Sequence, residues 1–365
     1  MTIYKSFRIL FDKKQNIKII FLLLASLLTP LFELIGIGSI PAFAIVIIDL
    51  DKFLSILSSY ISVDYLSQIS KESMTILAAT GLALIFVIKN LYLFFIIYLQ
   101  GKVLKKLRFS TSLKLFKYYI NLPYIEHLSK NPAILIRTIE SDVGLAFTYI
   151  TSNLTLIRES IILTSIFILL LVADPLISSF SLLFLGFPIF LFYIFYRKTL
   201  KNRGAELQKL MGKKYKTINQ SLGLIKETKI LNREKFFFNN FSKITNEVEN
   251  INFFSYMMTS TPRLFLEVIA LSAVAIVCAI LIFLGRSPES ILPIISLLAV
   301  SVVRFIPGLN SITSSLTTIR FRKPSFKLIV DEIGNLNLSK EIKNFSNNEN
   351  RNEIKFQNEI VLDDL

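Results

Sequence analysis

The sequence predicts an all-α membrane protein in which six transmembrane helices extend into long intracellular helices. Of the 365 residues, 53% are hydrophobic, and the mean hydropathy is +0.58. Several apolar runs reach the ~20 residues that cross a bilayer as a helix. Between two of them lies a basic, polar stretch, Arg197 to Thr261, which lacks proline and keeps apolar residues at helical spacing. It is too long for an ordinary connection, so it predicts two helices that leave the membrane and turn near Gly223.

The elements follow in chain order. Residues 1–16 predict a short interfacial elbow helix, because its apolar and basic residues fall on different sides. Residues 50–69 have the same character and are expected to lie flat on the outer surface. The six spans are expected at about 17–48, 74–99, 154–172, 176–196, 262–284 and 291–309. The first span is longer than a crossing needs, and its glycines and prolines are expected to bend it: Pro30, Gly36, Gly38 and Pro41.

Several helices are expected to continue beyond the membrane. The second span should run on through Lys102–Tyr119, and the sixth past Arg320 toward Asp331. Pro123 and Pro132 must interrupt helical structure, which leaves a short crossing segment between them at the inner tip. The transmembrane domain then covers 17–333. Residues 334–352 are rich in asparagine and predict a linker, and 353–365 predict the first strand of a further domain.

The net charge of +15 is distributed as the positive-inside rule requires. Residues 1–18 carry five Lys/Arg and one Asp, whereas 49–73 carry two Lys and four acidic residues. Residues 100–153 carry eight Lys/Arg and three acidic residues. Both termini and both long loops are therefore expected in the cytoplasm, and this explanation of the charge predicts no nucleic-acid partner.

Ionisable residues inside membrane spans are costly and suggest function. Lys89 and Arg304 each lie about 20 Å below the outer surface at 1.5 Å per residue, and Arg263 lies near the inner end of its span. One hypothesis is a basic zone in a central cavity that binds a pyrophosphate. The alternative is snorkelling to the headgroups or pairing with an acid. Glu267 follows Arg263 at the i+4 position and could pair with it.

Four further intramembrane charges are expected to be structural: Glu33, Arg158, Glu159 and Glu267. Arg158 stands next to Glu159, and pairing with a neighbouring helix suits them at least as well as function. Glu33 could be the partner of one of the cations. No metal site and no catalytic residue is predicted in this chain.

The layout and two local motifs resemble the transmembrane half of an ABC exporter. Leu122-Pro-Tyr-Ile-Glu-His-Leu and the following Asn131-Pro-Ala-Ile-Leu-Ile-Arg are similar to the first coupling helix of that family. Gly223-Leu-Ile-Lys-Glu-Thr-Lys-Ile-Leu-Asn-Arg-Glu is similar to the second. Together with the outer amphipathic helix, these motifs are most similar to PglK-type lipid-linked oligosaccharide flippases. The resemblance covers about residues 1–335.

The resemblance implies a homodimer in a bacterial inner membrane, driven by an ABC nucleotide-binding domain that binds ATP and Mg²⁺. It implies docking contacts to that domain from two sets of residues: Tyr124, Glu126 and His127, and Leu224, Ile225, Lys226 and Glu227. The cargo would be a lipid-linked pyrophosphate oligosaccharide or a similar anionic lipid. Drug, peptide or lipid A export is the alternative within the family, and a membrane-embedded glycan-processing enzyme is the alternative outside it.

The sequence departs from the family because it contains no GxxxxGK[ST] phosphate loop and no LSGGQ-like motif. This chain alone is therefore not expected to bind or hydrolyse ATP, although the full-length protein would be an ATPase translocase. Either the chain is truncated or its motor is supplied separately. The strand-like residues 353–365 favour truncation.

Overall fold

The computed structural model describes residues 3–58, 70–173, 175, 186–283 and 288–347, and this part of the chain is helical without strands. The first helices are α1 (Ile3–Leu10), α2 (Lys13–Ser26), α3 (Thr29–Ile48), α4 (Leu50–Ser58) and α5 (Lys71–Ile120). Then come α6 (Tyr124–Ser129), α7 (Pro132–Arg137), a π-helical turn (Thr138–Asp142) and α8 (Val143–Ala173). The last are α9 (Phe187–Gly223), α10 (Ile225–Ile230), α11 (Glu234–Phe283) and α12 (Pro288–Asn347).

Three helical segments of the described chain are long and apolar enough to cross a membrane: Lys13–Ile48, Lys71–Ile120 and Pro132–Val172. Their most apolar windows are only 22%, 6% and 28% buried within the chain. Such exposed apolar helices fit a lipid environment, where the backbone must satisfy its own hydrogen bonds. The expected span 176–196 lies largely outside the described residues. Those at 262–284 and 291–309 fall on α11 and α12, apart from residue 284.

The helix of the first span is interrupted next to one of the four residues expected to bend it. The helix is interrupted at Leu27 and Leu28, and α3 restarts with Pro30 in its first turn. Proline fits the first turn because its missing N–H is not needed there, and it disfavours helical structure just before it. The helix then continues through Gly36, Gly38 and Pro41.

The main core joins α1, α2, α5, α8 and α12, and α8 packs along α12. Phe7 of α1 contacts Phe326 of α12 with ring centroids 6.4 Å apart, and Leu10 and Phe11 are buried. The apolar side of the expected interfacial helix therefore packs on protein. Tyr149 stacks on the same Phe326 at 4.3 Å, which ties α8 into this core.

The helices on either side of the polar stretch pack as its apolar spacing predicts. Leu207 and Leu210 of α9 cluster with Val248 and Ile251 of α11 and Phe321 of α12. At Gly204 a Cβ would overlap the backbone carbonyl of Phe321. Only glycine allows α9 to approach α12 this closely.

Two helices extend well beyond the length that crosses a bilayer. The helix α5 has 50 residues, about 75 Å at 1.5 Å per residue, against a hydrocarbon core of about 30 Å. It continues through Lys102–Tyr119 as expected. The helix α12 continues to Asn347, so residues 334–347 are helical where a linker was expected. The expected outer helix is observed as α4; residues 59–69, the rest of the linker and the expected strand at 353–365 lie outside the described residues.

Candidate functional site

Charged side chains from four helices meet between the candidate membrane segments. Glu33 of α3 lies between two cations: Lys89 of α5 and Arg304 of α12. The Lys89 Nζ forms an ion pair with Glu33 Oε2 at 2.8 Å. The Arg304 Nε donates a hydrogen bond of 3.1 Å to Glu33 Oε1. One carboxylate thus contacts two of the three cations expected to bind substrate.

The same arginine links Glu33 to a second carboxylate. Arg304 Nη2 donates to Glu159 Oε2 at 3.3 Å, and Arg158 Nη2 donates to Glu159 Oε1 at 3.4 Å. These five residues, Glu33, Lys89, Arg158, Glu159 and Arg304, are called the charge network below. It joins α3, α5, α8 and α12 at one level of the bundle.

Local packing fixes the position of Lys89 against α3. A Cβ at Gly36 would lie 3.0 Å from Lys89 Cδ, so the glycine leaves room for the lysine stem. The ammonium lies 5.0 Å from the centre of the Phe86 ring, a favourable cation–π position. One turn further on, Tyr92 stacks on Phe32 at 4.4 Å and donates a 2.6 Å hydrogen bond to the Ala25 carbonyl. These contacts hold α5 in register with α2 and α3.

The charge network has three cations and two carboxylates, so one positive charge is in excess. The carboxylates are the more buried partners, with side chains 3% exposed at Glu33 and 7% at Glu159, against 22% at Arg304. The arginine is therefore the member that a ligand reaches first. Since guanidinium binds phosphate oxygens in pairs, the network can bind an anion if that anion replaces a carboxylate.

The remaining predicted cation lies elsewhere. Arg263 and Glu267 are exposed on α11, and neither takes part in the ion pairs of the charge network. Of the four residues expected to be structural, Glu33, Arg158 and Glu159 are members of the charge network, and Glu267 is not. The structure therefore brings together two of the three residues expected to bind substrate.

The first tip is the short helix α6 between the ends of α5 and α7. Pro123 precedes it, and the Asn131 side chain accepts a 3.0 Å hydrogen bond from the Ala133 amide to cap α7. Its apolar side chains point away from the chain: Tyr124 and Ile125 are each 76% exposed. Glu126 pairs with Lys130 at 3.7 Å, and His127 lines an adjacent groove facing α9.

The second tip is α10, between α9 and α11. It ends in a Schellman motif, in which Asn232 adopts φ 51° and the Arg233 amide donates to the Thr228 carbonyl at 3.0 Å. Lys229 pairs with Glu234 at 2.9 Å, and this hydrogen bond lowers the pKa of the Glu234 carboxyl. The tip is well defined, yet it exposes Leu222, Leu224, Ile225, Ile230 and Leu231, and its Lys226 and Glu227 are exposed as well.

A second buried charge cluster was not anticipated from the sequence. Arg137 Nε donates to Asp142 Oδ2 at 2.9 Å, and Arg137 Nη1 donates to the Gln208 carbonyl at 3.1 Å. The Ser325 hydroxyl donates to Asp142 Oδ1 at 2.9 Å. The two charged residues are five positions apart, a spacing that shares a face only in a π-helical turn.

No model of a known protein family matches the chain. The described residues thus present two separate features: a cation-rich network between apolar helices, and two tips with exposed apolar side chains. The first has the chemistry to bind an anion, and the second has the chemistry to bind another protein domain.

Proposed function

We propose that this chain is the membrane domain of an ATP-driven ABC exporter or flippase that acts as a homodimer. Its cargo would be an anionic lipid such as a lipid-linked pyrophosphate oligosaccharide. The observation that carries the proposal is the pair of tips, where long helices end in short helices with exposed apolar side chains. Exposed apolar side chains on an otherwise charged surface are typical of binding sites.

The tips are suited to mechanical coupling because the helices behind them are continuous. From Lys71 to Ile120, α5 connects an apolar segment directly to the first tip. The buried pair Arg137–Asp142 ties the other side of that tip to α9 and α12. A movement imposed on the tips by a nucleotide-binding domain would therefore reach the membrane segments.

The charge network supports an anionic cargo. Lys89 and Arg304 share Glu33, so each cation is partly neutralised in this conformation. A pyrophosphate offers several oxygens and could bind both cations at once, releasing them from the carboxylate. Cargo binding and rearrangement of α3, α5 and α12 would then be a single event, which would link the cargo to the transport cycle.

A second copy and a nucleotide-binding domain would complete the machine. The apolar window of α5 is only 6% buried within the chain, which leaves a large apolar surface for lipid or a partner copy. ATP and Mg²⁺ would bind to the nucleotide domain and not to this chain. Drug, peptide or lipid A exporters would share this architecture, but the excess cation in the charge network favours an anionic headgroup.

The test is an uncoupling experiment at the second tip. Ile225→Asp in the transporter reconstituted with its ATPase domain should reduce ATP-driven movement of a fluorescent polyprenyl-pyrophosphate lipid at least about tenfold. An aspartate there would face a desolvated contact, at a cost of well over 1.4 kcal/mol, the equivalent of tenfold.

The matched control is Phe238→Asp, which changes an exposed aromatic residue of α11 outside the tip helix. It should leave transport near the unmodified rate. Equal transport by the two variants would refute docking at this tip, and with it the proposed coupling.

A further inference from the structure

An open groove of about 720 Å³ runs between α5 and α8, separate from the charge network and from the tips. Its wall combines basic, hydroxyl, aromatic and glycine residues. The members that matter below are Lys105, Lys106, Arg108, Phe109, Gly144 and Phe147. This set is called the α5–α8 groove.

The groove has a strongly positive lining. Three cations face it, and its lining residues include no carboxylate. Within the described part of the chain, Lys105, Lys106 and Arg108 form no ion pair, whereas Lys114 a little further along α5 is paired with Asp12 at 3.1 Å. Three neighbouring cations repel one another, so an anion bound between them would be stabilised.

The groove also has room for a ligand beside these cations. A Cβ at Gly144 would lie 3.1 Å from Arg108 Nη2, so any larger residue there would intrude on the guanidinium. Ser112, Thr148 and Thr151 add hydroxyl groups to the wall. The Thr148 and Thr151 hydroxyls donate to the Gly144 and Phe147 carbonyls of their own helix, so their oxygens can only accept from a ligand. Leu104, Phe109 and Phe147 supply an apolar surface next to the charges.

The depth of the groove follows from the antiparallel contacts between α2 and α5. Asp12 pairs with Lys114, and Gln15 donates a hydrogen bond to Ser110. Counted from these two contacts at the same rise per residue, the three cations are level with the part of α2 around Lys18, which is followed by an apolar run. With the termini in the cytoplasm, as the distribution of charge predicts, that level is the boundary between cytoplasm and hydrocarbon, where lipid phosphates lie.

We propose that the α5–α8 groove binds the headgroup phosphate of an anionic phospholipid of the inner leaflet. Lys105, Lys106 and Arg108 bind the phosphate, and Phe109 and Phe147 contact the first part of an acyl chain. The apolar wall next to the cations favours a lipid over inorganic phosphate, because inorganic phosphate has no apolar part to contact that wall. This bound lipid is distinct from the proposed cargo, and its binding needs neither ATP nor a nucleotide domain.

Lipid binding can be followed with a tryptophan reporter, because the chain contains no tryptophan. Phe109→Trp places one in the groove of the full chain, reconstituted in phosphatidylcholine nanodiscs. Brominated phosphatidylglycerol should quench its fluorescence saturably, and at least about tenfold lower mole fractions should suffice than for brominated phosphatidylcholine. Each cation near the surface contributes roughly a factor of five.

Two variants test the groove, and one controls for general surface charge. Lys105→Gln, Lys106→Gln and Arg108→Gln together should abolish the preference for phosphatidylglycerol. Gly144→Leu should weaken it without changing the charge, and leucine suits a helix better than glycine. The control neutralises three exposed lysines near the same level of α2, Lys13, Lys14 and Lys18, and should retain the preference.

Three results would overturn the proposal. If the triple variant of the groove and the triple variant of α2 lost the preference for phosphatidylglycerol equally, the preference would reflect only general attraction of anionic lipid to positive charge. Displacement of the brominated lipid by inorganic phosphate at equal concentration would show a site for soluble phosphate. A reporter that no brominated lipid quenches, with Lys105→Cys crosslinking two copies, would show that a second copy covers the groove.

Discussion

The two buried charge clusters of this protein use the same residue types to different ends. Next to the first tip, Arg137 and Asp142 form a balanced pair whose side chains are 8% and 3% exposed. The Ser325 hydroxyl donates a hydrogen bond to Asp142, and the Gln208 carbonyl accepts one from Arg137. In the charge network, three cations share two carboxylates, and the Arg304 side chain is 22% exposed.

The contrast separates a structural cluster from one that can bind a ligand. Removing any member of a balanced pair with buried hydrogen-bond partners destabilises the fold. The pair therefore holds α7, α9 and α12 together. A network with an excess cation and a reachable arginine can accept an anion in exchange for a carboxylate. The two clusters therefore differ in charge balance and in the exposure of their arginines, although both contain buried charges.

The largest expected effect is at the balanced pair. Asp142→Ala leaves the Arg137 guanidinium buried without its carboxylate, and removing one partner of such a pair costs about 3–5 kcal/mol. Thermal unfolding of the purified chain in detergent should show a large drop in Tm. Glu140→Ala, two residues away and exposed, is the control and should change Tm little. A similar Tm for both variants would contradict a structural role for the pair.

Glu33→Gln should show a smaller loss of stability together with a gain in anion binding. The amide keeps the shape but gives up two charged interactions, a loss of roughly 2 kcal/mol. Lys89 and Arg304 then lose the Glu33 charge, and Arg304 keeps only its contact with Glu159. The binding of a polyprenyl pyrophosphate, measured in nanodiscs, should therefore tighten. Glu267→Gln, exposed on α11, should change neither quantity. Weaker lipid binding by Glu33→Gln would show that the carboxylate does not compete with the cargo.

Lys89→Ala with Arg304→Ala should remove cargo stimulation of the ATPase in the reconstituted transporter, with transport falling at least about tenfold, or about 1.4 kcal/mol. The double variant also leaves the Glu33 carboxylate buried without its two cations, which lowers stability. Adding Glu33→Gln should therefore recover stability but not transport. Arg263→Ala is the comparison, and its effect should be small because Arg263 is exposed and outside the charge network. Unchanged transport by the double variant would exclude the network as the cargo site.

The sequence predicted features that depend on local rules. It anticipated that α5 continues past the membrane segment, since no proline interrupts Lys102–Tyr119, and that Pro123 and Pro132 separate a short tip helix. It also offered Glu33 as a partner for a cation. In contrast, Arg137 and Asp142 meet only because of a π-helical turn, which no spacing rule revealed. Arg263 and Arg304 were both expected to bind substrate, although the sequence placed Arg263 near the end of its span with Glu267 at the i+4 position. That Arg304 alone contacts Glu33 depends on helix orientation, which spacing does not give.

The smallest expected effect concerns the exposed pair Lys114–Asp12, whose side chains are 30% and 70% exposed. Lys114→Ala should lower stability by about 0.2–1 kcal/mol, the range for a solvated ion pair. Because salt screens such a pair, its Tm difference from the unmodified chain should shrink further in about 1 M salt, where the Debye length is about 3 Å. The Tm loss of Asp142→Ala should persist there, because the buried pair is out of reach of the salt. If the Tm losses of both variants vanished at high salt, Arg137–Asp142 would be as solvated as the surface pair. The distinction between a buried structural pair and a charge network that a ligand can reach would then fail.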